Sequence, residues 1–334
     1  MYPIENEISV PSVIGIGNAL VDIINVLEND NLLEEFGLLK GSMTLVDSEL
    51  SRKIYNATYF NKREITTGGS AANTIHTLAE LGVNCGYVGK IGNDMLGKIF
   101  LSEFERQKIM PHLLFSSKDT GRVMALVSPD SERTMATYLG AAADLKPEEL
   151  TREIFRGYSI LYIEGYLVQN QELIETAIKL AGQERLNIAI DLSSFNIVES
   201  NLSFLKKLIS EKVDIIFANE DEAYAFTGKK PEKAVTELAT LCEIAIVKKG
   251  KEGSLIKQAD ELIHVESIKA NAIDTTGAGD NYAAGFLYGL TKGYSMKKSG
   301  LIAALAAGKV VEVMGAKIPA SSWPEIIKII QSMD

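Results

Sequence analysis

From about Tyr158 onward the chain alternates short apolar runs with amphipathic stretches. YSILYI precedes helical spacing from Gln171 to Gly182, LNIAID precedes a second such stretch from Leu202 to Ser210, and VDIIFA follows. Short runs rich in Ile and Val, each followed by an amphipathic helix, are the pattern of βαβ units on a parallel sheet covered by helices on both faces. The first half repeats the theme: SVIGIGN reads as a buried strand, Ser70 to Leu81 as a helix, VNCGYVG as a strand and Met95 to Gln107 as a helix. The predicted class is α/β, with a mostly parallel central sheet between helical layers.

Two segments break the alternation. ALVDIINVLE with SMTLVD, and GRVMALVSPDSERTMATYLG, read as strands separated by polar or turn residues. They are expected to form a small β-sheet lid built from excursions near residues 18–46 and 119–140, so that residues 1–334 make one domain without a linker. The 334 residues, 46% hydrophobic and 23% charged, suit a packed core. A net charge of -10 opposes attraction to nucleic acid and anionic lipid. The N-terminal MYPIENEISVPS lacks the basic and apolar regions of a leader, and no apolar run approaches the ~18 residues of a membrane span. Cys85 and Cys242 each lie in an apolar stretch that reads as a strand, without a metal-ligand companion, and are read as buried thiols. A cytoplasmic protein is expected, with neither nucleic acid nor membrane as a partner.

The most informative segment is AIDTTGAGDNYAAGFLYGL, Ala272 to Leu290. Gly277, Ala278 and Gly279 lead into helical apolar spacing. Small residues there let backbone amides converge where free N–H groups and the helix dipole favour an anion. Asp280 falls in the first turn, where a carboxylate can accept the proton of an attacking hydroxyl during phosphoryl transfer. The plainer alternative is a glycine-rich turn before a helix, with Asp280 as a dipole partner. No G-x-x-x-x-G-K-[ST] motif is present.

DTTGAGD followed by a small-residue helix resembles the C-terminal signature of the ribokinase-like (PfkB) carbohydrate kinase family, and the likeness extends over nearly the whole chain. The resemblance implies the ribokinase-like three-layer fold, ATP and Mg²⁺, Asp280 as base, and an anion hole from the amides of Gly277, Ala278 and Gly279. TTGGSAANTIHTLAELG, Thr66 to Gly82, resembles the family's N-terminal signature. There Gly68 and Gly69 would allow close backbone approach to a substrate and movement as a lid closes, and Asn73 would bond a sugar hydroxyl. The alternative is an ordinary helix start, with Ser70 as N-cap and Asn73 turned toward it.

GIGNALVDI, Gly15 to Ile23, puts Asn18 and Asp22 after a buried strand, at the carboxyl end where open α/β sheets bind ligands. A carboxylate can take two vicinal ribose hydroxyls, and G-N-x-x-x-D resembles the adenosine kinase branch. Asn219-Glu220-Asp221-Glu222 resembles the family's N-x-x-E element, which implies that Glu222 helps hold Mg²⁺, through water, while the same spacing is close to a capping box. Arg133 lies where a lid cation could reach the transferring phosphate; its alternative is a surface arginine. VKKGKEGS, Val247 to Ser254, resembles the nucleotide side of the site, with Lys248, Gly250 and Gly253 near ATP, and also suits a hairpin turn. Asp274 with the Thr276 carbonyl resembles a monovalent-cation position, so K⁺ is a further possible ligand. His76, His112 and His264 are scattered and read as structural.

These residues imply transfer of the ATP γ-phosphoryl group to a primary hydroxyl of a nucleoside, adenosine favoured, or a ribose-type sugar. Free-sugar kinases for ribose, fructose or ketodeoxygluconate form the alternative, and a binding protein without chemistry a more distant one. A dinucleotide-dependent oxidoreductase would need G-x-G-x-x-G opening a helix, whereas GIGNALVD continues as a strand. The resemblance leaves monomer and homodimer open.

Overall fold

The computed structural model describes residues 12–61, 63–130 and 132–333. The N-terminal leader reading, and Ser131 of the second excursion, lie outside the described residues. In chain order the strands are β1 (Ser12–Ile16), β2 (Leu20–Val26), β3 (Met43–Leu45), β4 (Arg63–Gly68), β5 (Asn84–Gly92), β6 (Met110–Ser116), β7 (Gly121–Val127), β8 (Arg133–Tyr138), β9 (Ile160–Glu164), β10 (Asn187–Asp191), β11 (Ile215–Asn219), β12 (Ile244–Lys248), β13 (Ser254–Gln258) and β14 (Glu261–Val265).

Nine of them form one sheet in the order β14-β13-β12-β11-β10-β9-β1-β5-β6. From β12 to β6 every pairing is parallel, and two antiparallel pairings add β13 and β14 at the other edge. Helices cover both faces because alternate strand residues point to opposite sides. Tyr162 and Phe217 pack with Phe286 and Leu287 of the Ala278–Thr291 helix, whereas Leu161, Ile163 and Ile216 pack with Ile174 and Ile209 of the Gln171–Gln183 and Leu202–Lys212 helices.

The Ala278–Thr291 helix lies unusually close to its neighbour, Met296–Val310. A Cβ on Gly285 would stand 2.7 Å from the Cα of Ala303, and one on Gly289 2.7 Å from the Cα of Ser299. Only glycine permits that approach, which holds the helix carrying Asp280 against a second helix along two turns.

The smaller sheet has the order β3-β8-β7-β2-β4. β2, β3, β7 and β8 come from the two segments that break the sequence alternation. β4 is absent from the sequence reading, since REITTG is polar, without alternating apolar residues. It is recruited by antiparallel pairing with β2, in which Asp22 lies opposite Thr66. After β1 the chain enters β2 rather than a helix, as GIGNALVD predicts.

One local reading is corrected, and one alternative is set aside. Cys85 is buried in β5, but Cys242 is only partly buried and sits in the turn before β12, its Sγ near the carbonyls of Leu238 and Ile244. The Ser70–Glu80 helix is capped by Gly69, at φ 97°, and not by the Ser70 side chain. No helix among the described residues is long and apolar enough to cross a membrane.

Candidate active site

The site lies along the carboxyl ends of the parallel strands, where the Ser70–Glu80 and Ala278–Thr291 helices begin. The segment from Gly68 to Asn73 brings its parts together. A Cβ on Gly68 would stand 2.6 Å from Asp22 Oδ2, and one on Gly69 would overlap the Asn18 carbonyl oxygen. The close approach read for this glycine pair is thus made to Asp22 and Asn18 themselves. Ser70 Oγ donates to Asp280 Oδ1 at 2.7 Å, and Asn73 Nδ2 donates to Asp280 Oδ2 at 2.9 Å. These bonds set aside the alternative of an ordinary helix start, in which both side chains would serve the cap. Between them, the Ala71 N–H donates to Glu164 Oε2 at 3.1 Å.

Asp280 stands in the first turn of its helix. Burial pushes its carboxyl up to about 6; the bonds from Asn73 and Ser70 pull it back, the Asp191 charge adds to the rise, and the Lys248 charge lowers it. A carboxylate so placed is ionised at neutral pH yet has appreciable proton affinity. Gly277 precedes it at φ 76°, and a Cβ there would meet the Cβ of Ala316 at 2.6 Å. The first intrahelical bond runs from the Asn281 N–H to the Gly277 carbonyl, so the N–H groups of Gly279 and Asp280 have no partner within the helix. Lys248 Nζ lies 3.2 Å from where a Gly279 Cβ would be, which sets an ammonium beside these amides. Backbone N–H groups, a helix dipole and a cation converge there, a geometry that suits a phosphoryl group.

Lys248 ends β12 and pairs with Asp191 at 2.8 Å, the two side chains 15% and 6% exposed. Gly250 and Gly253 form the hairpin between β12 and β13, and the Val265 carbonyl leaves no room for a Cβ on Gly253. Asn219 and Glu222 make the full capping box: Asn219 Oδ1 accepts from the Glu222 N–H at 2.8 Å, and Glu222 accepts from the Asn219 N–H and Nδ2 at 2.7 and 2.9 Å. Burial, then the neighbouring Asp191 charge, pushes Glu222 up to about 7. No group of three or more His, Cys, Asp or Glu side chains among the described residues could hold a metal ion. So sparse a donor set suits a Mg²⁺ ion that keeps most of its water, and both Glu222 oxygens already accept from Asn219.

Asp22 projects from β2 and makes no side-chain hydrogen bond among the described residues. Burial raises it to about 6, against the pull of Lys317 and Arg133. Arg133 is a bridge rather than a surface residue: Nη1 donates to Thr276 Oγ1 at 3.1 Å, and Nη2 pairs with Asp274 at 2.9 Å. Asp274 also accepts from the Thr276 and Gly315 N–H groups, so protein donors hold both its oxygens, where the resemblance implies a monovalent cation. Lys317 Nζ donates to Thr67 Oγ1 on β4 and lies 4.0 Å from Glu103. The three histidines stay apart: His76 near Glu103, His112 on Tyr158 and His264 on the Glu252 carbonyl.

Glu164, Asp191 and Lys317 are missing from the sequence reading. The first two close apolar runs at the carboxyl ends of β9 and β10, lie side by side in register, and were legible by the rule that singles out Asn18. Lys317 sits in an irregular loop and carries no such signal.

Similar proteins have the same architecture. An adenosine kinase from Sinorhizobium meliloti superposes with a TM-score of 0.86 at 34% identity, over 96% of this chain and 99% of that one. A nucleoside kinase from Methanocaldococcus jannaschii is 28% identical over 274 residues, 78% of this chain and 84% of its own. A 5-dehydro-2-deoxygluconokinase from Listeria monocytogenes is 31% identical over 267 residues, 73% of this chain and 80% of its own. Residues 41–323 match the family model described as pfkB family carbohydrate kinase. With that match spanning most of its length, the chain belongs to the pfkB family of carbohydrate kinases and is a sugar or nucleoside kinase that uses ATP.

Proposed function

We propose that this kinase transfers the ATP γ-phosphoryl group to the primary hydroxyl of a nucleoside, adenosine in preference, with Asp280 as general base. One observation carries the reading: the Asp280 carboxylate is held between Ser70 and Asn73 at the start of a helix whose free amides and adjacent Lys248 suit a phosphoryl group. The acceptor oxygen attacks the γ-phosphorus in line as the bond to the β-phosphate oxygen breaks. Its proton passes to Asp280, and ADP leaves. The Gly279 and Asp280 amides and Lys248 offset charge on the phosphoryl oxygens, the Ala278 N–H being taken by the Thr275 carbonyl at 3.2 Å, and Arg133 reaches the same region from β8. Glu222 would help hold Mg²⁺ alongside the nucleotide phosphates, whose charge the ion would neutralise. Movement of the smaller sheet toward the larger would exclude water.

A neutral, hydroxyl-rich acceptor is favoured over a sugar acid by how the nearby charges are matched. Lys317 faces Glu103 and Asp22, and Arg133 is tied to Asp274, so neither is a free cation for a substrate carboxylate. Asp22 is left to accept from a vicinal diol, as the adenosine kinase-like G-N-x-x-x-D pattern implies. ADP release with Mg·ATP and adenosine, inosine, guanosine, ribose, fructose or ketodeoxygluconate tests both parts. Adenosine should be turned over best, and Asp280→Asn should lower kcat by about 10²–10⁴ while ATP still binds. A folded Asp280→Asn protein with wild-type turnover refutes the base; turnover of a free sugar alone refutes the nucleoside.

A further inference from the structure

We infer that Glu164 is a positioning residue that fixes the Asn18 amide so that it meets the acceptor with its carbonyl oxygen; this rests on the proposed acceptor site. Glu164 ends β9, is 2% exposed, and belongs to none of the family motifs read in the sequence. Asn18 Nδ2 donates to its Oε1 at 2.6 Å, while Oε2 takes the Ala71 N–H at 3.1 Å. Burial pushes the Glu164 carboxyl up to about 7, against the bonds from the Ala71 N–H and Asn18; in the ionised form that dominates above that pH it can only accept, so the amide nitrogen faces it and the Asn18 Oδ1 faces away. That oxygen takes no hydrogen bond among the described residues and is not one of the atoms sealed from solvent without a partner.

Asn73 shows the same device beside the base. Its Nδ2 is claimed by the Asp280 carboxylate, and its Oδ1 is buried without a donor. Each acidic side chain thus fixes an asparagine amide by its nitrogen; the Asn73 carbonyl stays buried, whereas the Asn18 carbonyl, with Asp22, is left as an acceptor for a substrate that arrives with O–H donors. Glutamine cannot replace Glu164 without loss. Its amide has one accepting oxygen and one donating nitrogen, whereas Asn18 and Ala71 both present N–H groups. The Glu164→Gln substitution would therefore either release the Ala71 N–H or turn the Asn18 amide over. Room for a larger adjustment is lacking, because a Cβ on Gly17 would lie 2.5 Å from Glu164 Oε2.

Steady-state kinetics with acceptor and ATP varied separately test this in the wild type, Glu164→Gln, Asn18→Ala and the double variant. Glu164→Gln is expected to raise the acceptor KM by about three- to tenfold, the effect of one lost hydrogen bond between uncharged groups, with the ATP KM unchanged. In the Asn18→Ala background the same substitution should add less than about twofold, because the amide it acts through is gone. An unchanged acceptor KM, a parallel rise in both KM values, or an equal effect with and without Asn18 overturns the role. Should Glu164→Gln not fold, Asn18→Ala decides alone: an acceptor KM at the wild-type value overturns the proposal. The acceptor used is whichever compound the wild type phosphorylates, so failure of the nucleoside reading appears in the wild-type panel and stays distinct from failure here.

Discussion

Replacing Ser70 with alanine should move the acid limb of the pH–rate profile toward neutrality without abolishing activity. Ser70 Oγ donates to Asp280 Oδ1 at 2.7 Å, and Asn73 holds the other oxygen at 2.9 Å, so the variant keeps one of the two bonds that stabilise the ionised base. Such a bond favours the charged form, hence its loss raises the proton affinity of the carboxyl. One hydrogen bond to a charged group, taken as about 1.4 kcal/mol, corresponds to about one pH unit. The limb, placed near pH 6 by the Asp280 environment, then moves to about pH 7. At pH 6 the ionised fraction falls from about one half to about one tenth, and at pH 8 only from about 99% to about 91%. Acceptor kcat/KM measured from pH 5 to 9 should therefore drop about fivefold at pH 6 and hardly at all at pH 8. Asp22 is also raised to about 6, but Ser70 does not touch it, so a shift in the variant reports Asp280. A limb that stays in place, moves to lower pH, or gives way to a uniform loss at every pH refutes the assignment.

Lys248→Met leaves Asp191 buried without its cation and should cost about 3–5 kcal/mol in chemical denaturation, much of it recovered by Asp191→Asn in the same chain. Gly277→Ala forces a φ of 76° on alanine and a methyl group against Ala316, so a loss of about 2–4 kcal/mol and of kcat is expected, read by thermal melting and ADP release. Melting temperature should rise on acidification from pH 7.5 to 5.5. Asp22, Asp280, Glu164 and Glu222 all have raised proton affinity when folded, so between their unfolded and folded values the native state binds more protons and gains stability as pH falls. His76, held low by burial, opposes this. A melting temperature that falls over the same interval contradicts the buried state of these carboxyls.

The parallel sheet was legible because buried strands declare themselves by continuous apolar runs, and runs such as LNIAID need no partner to be recognised. β4 was not, because its reason for being a strand lies in β2: REITTG has no apolar face of its own and pairs through its backbone. At the site, glycines and the carboxylate of a helix start leave a mark in sequence, since turns demand particular residues at fixed spacing. The partners of that carboxylate leave less. Ser70 has the sequence of an N-cap, and only tertiary structure turns its hydroxyl some 210 positions along the chain to Asp280. Lys317 is farther from recognition still, because a lysine in an irregular loop becomes informative only when Thr67 and Glu103 are seen beside it.

Gly285 and Gly289 let the helix that starts at Ala278 lie directly on its neighbour, and this divides the molecule into a part that tolerates change and a part that does not. A side chain at either position would prise the two backbones apart and displace the whole helix along with its first turn. Residues on β2, β4 and β8 carry no such obligation, since they contribute side chains without setting the axis of that helix. On the proposed assignment of the site, drift in acceptor preference can therefore proceed by replacing residues of the smaller sheet while the start of the Ala278–Thr291 helix keeps its geometry. A library meant to redirect this enzyme to a new alcohol should be drawn from those strands and leave the glycines of the helix pair untouched.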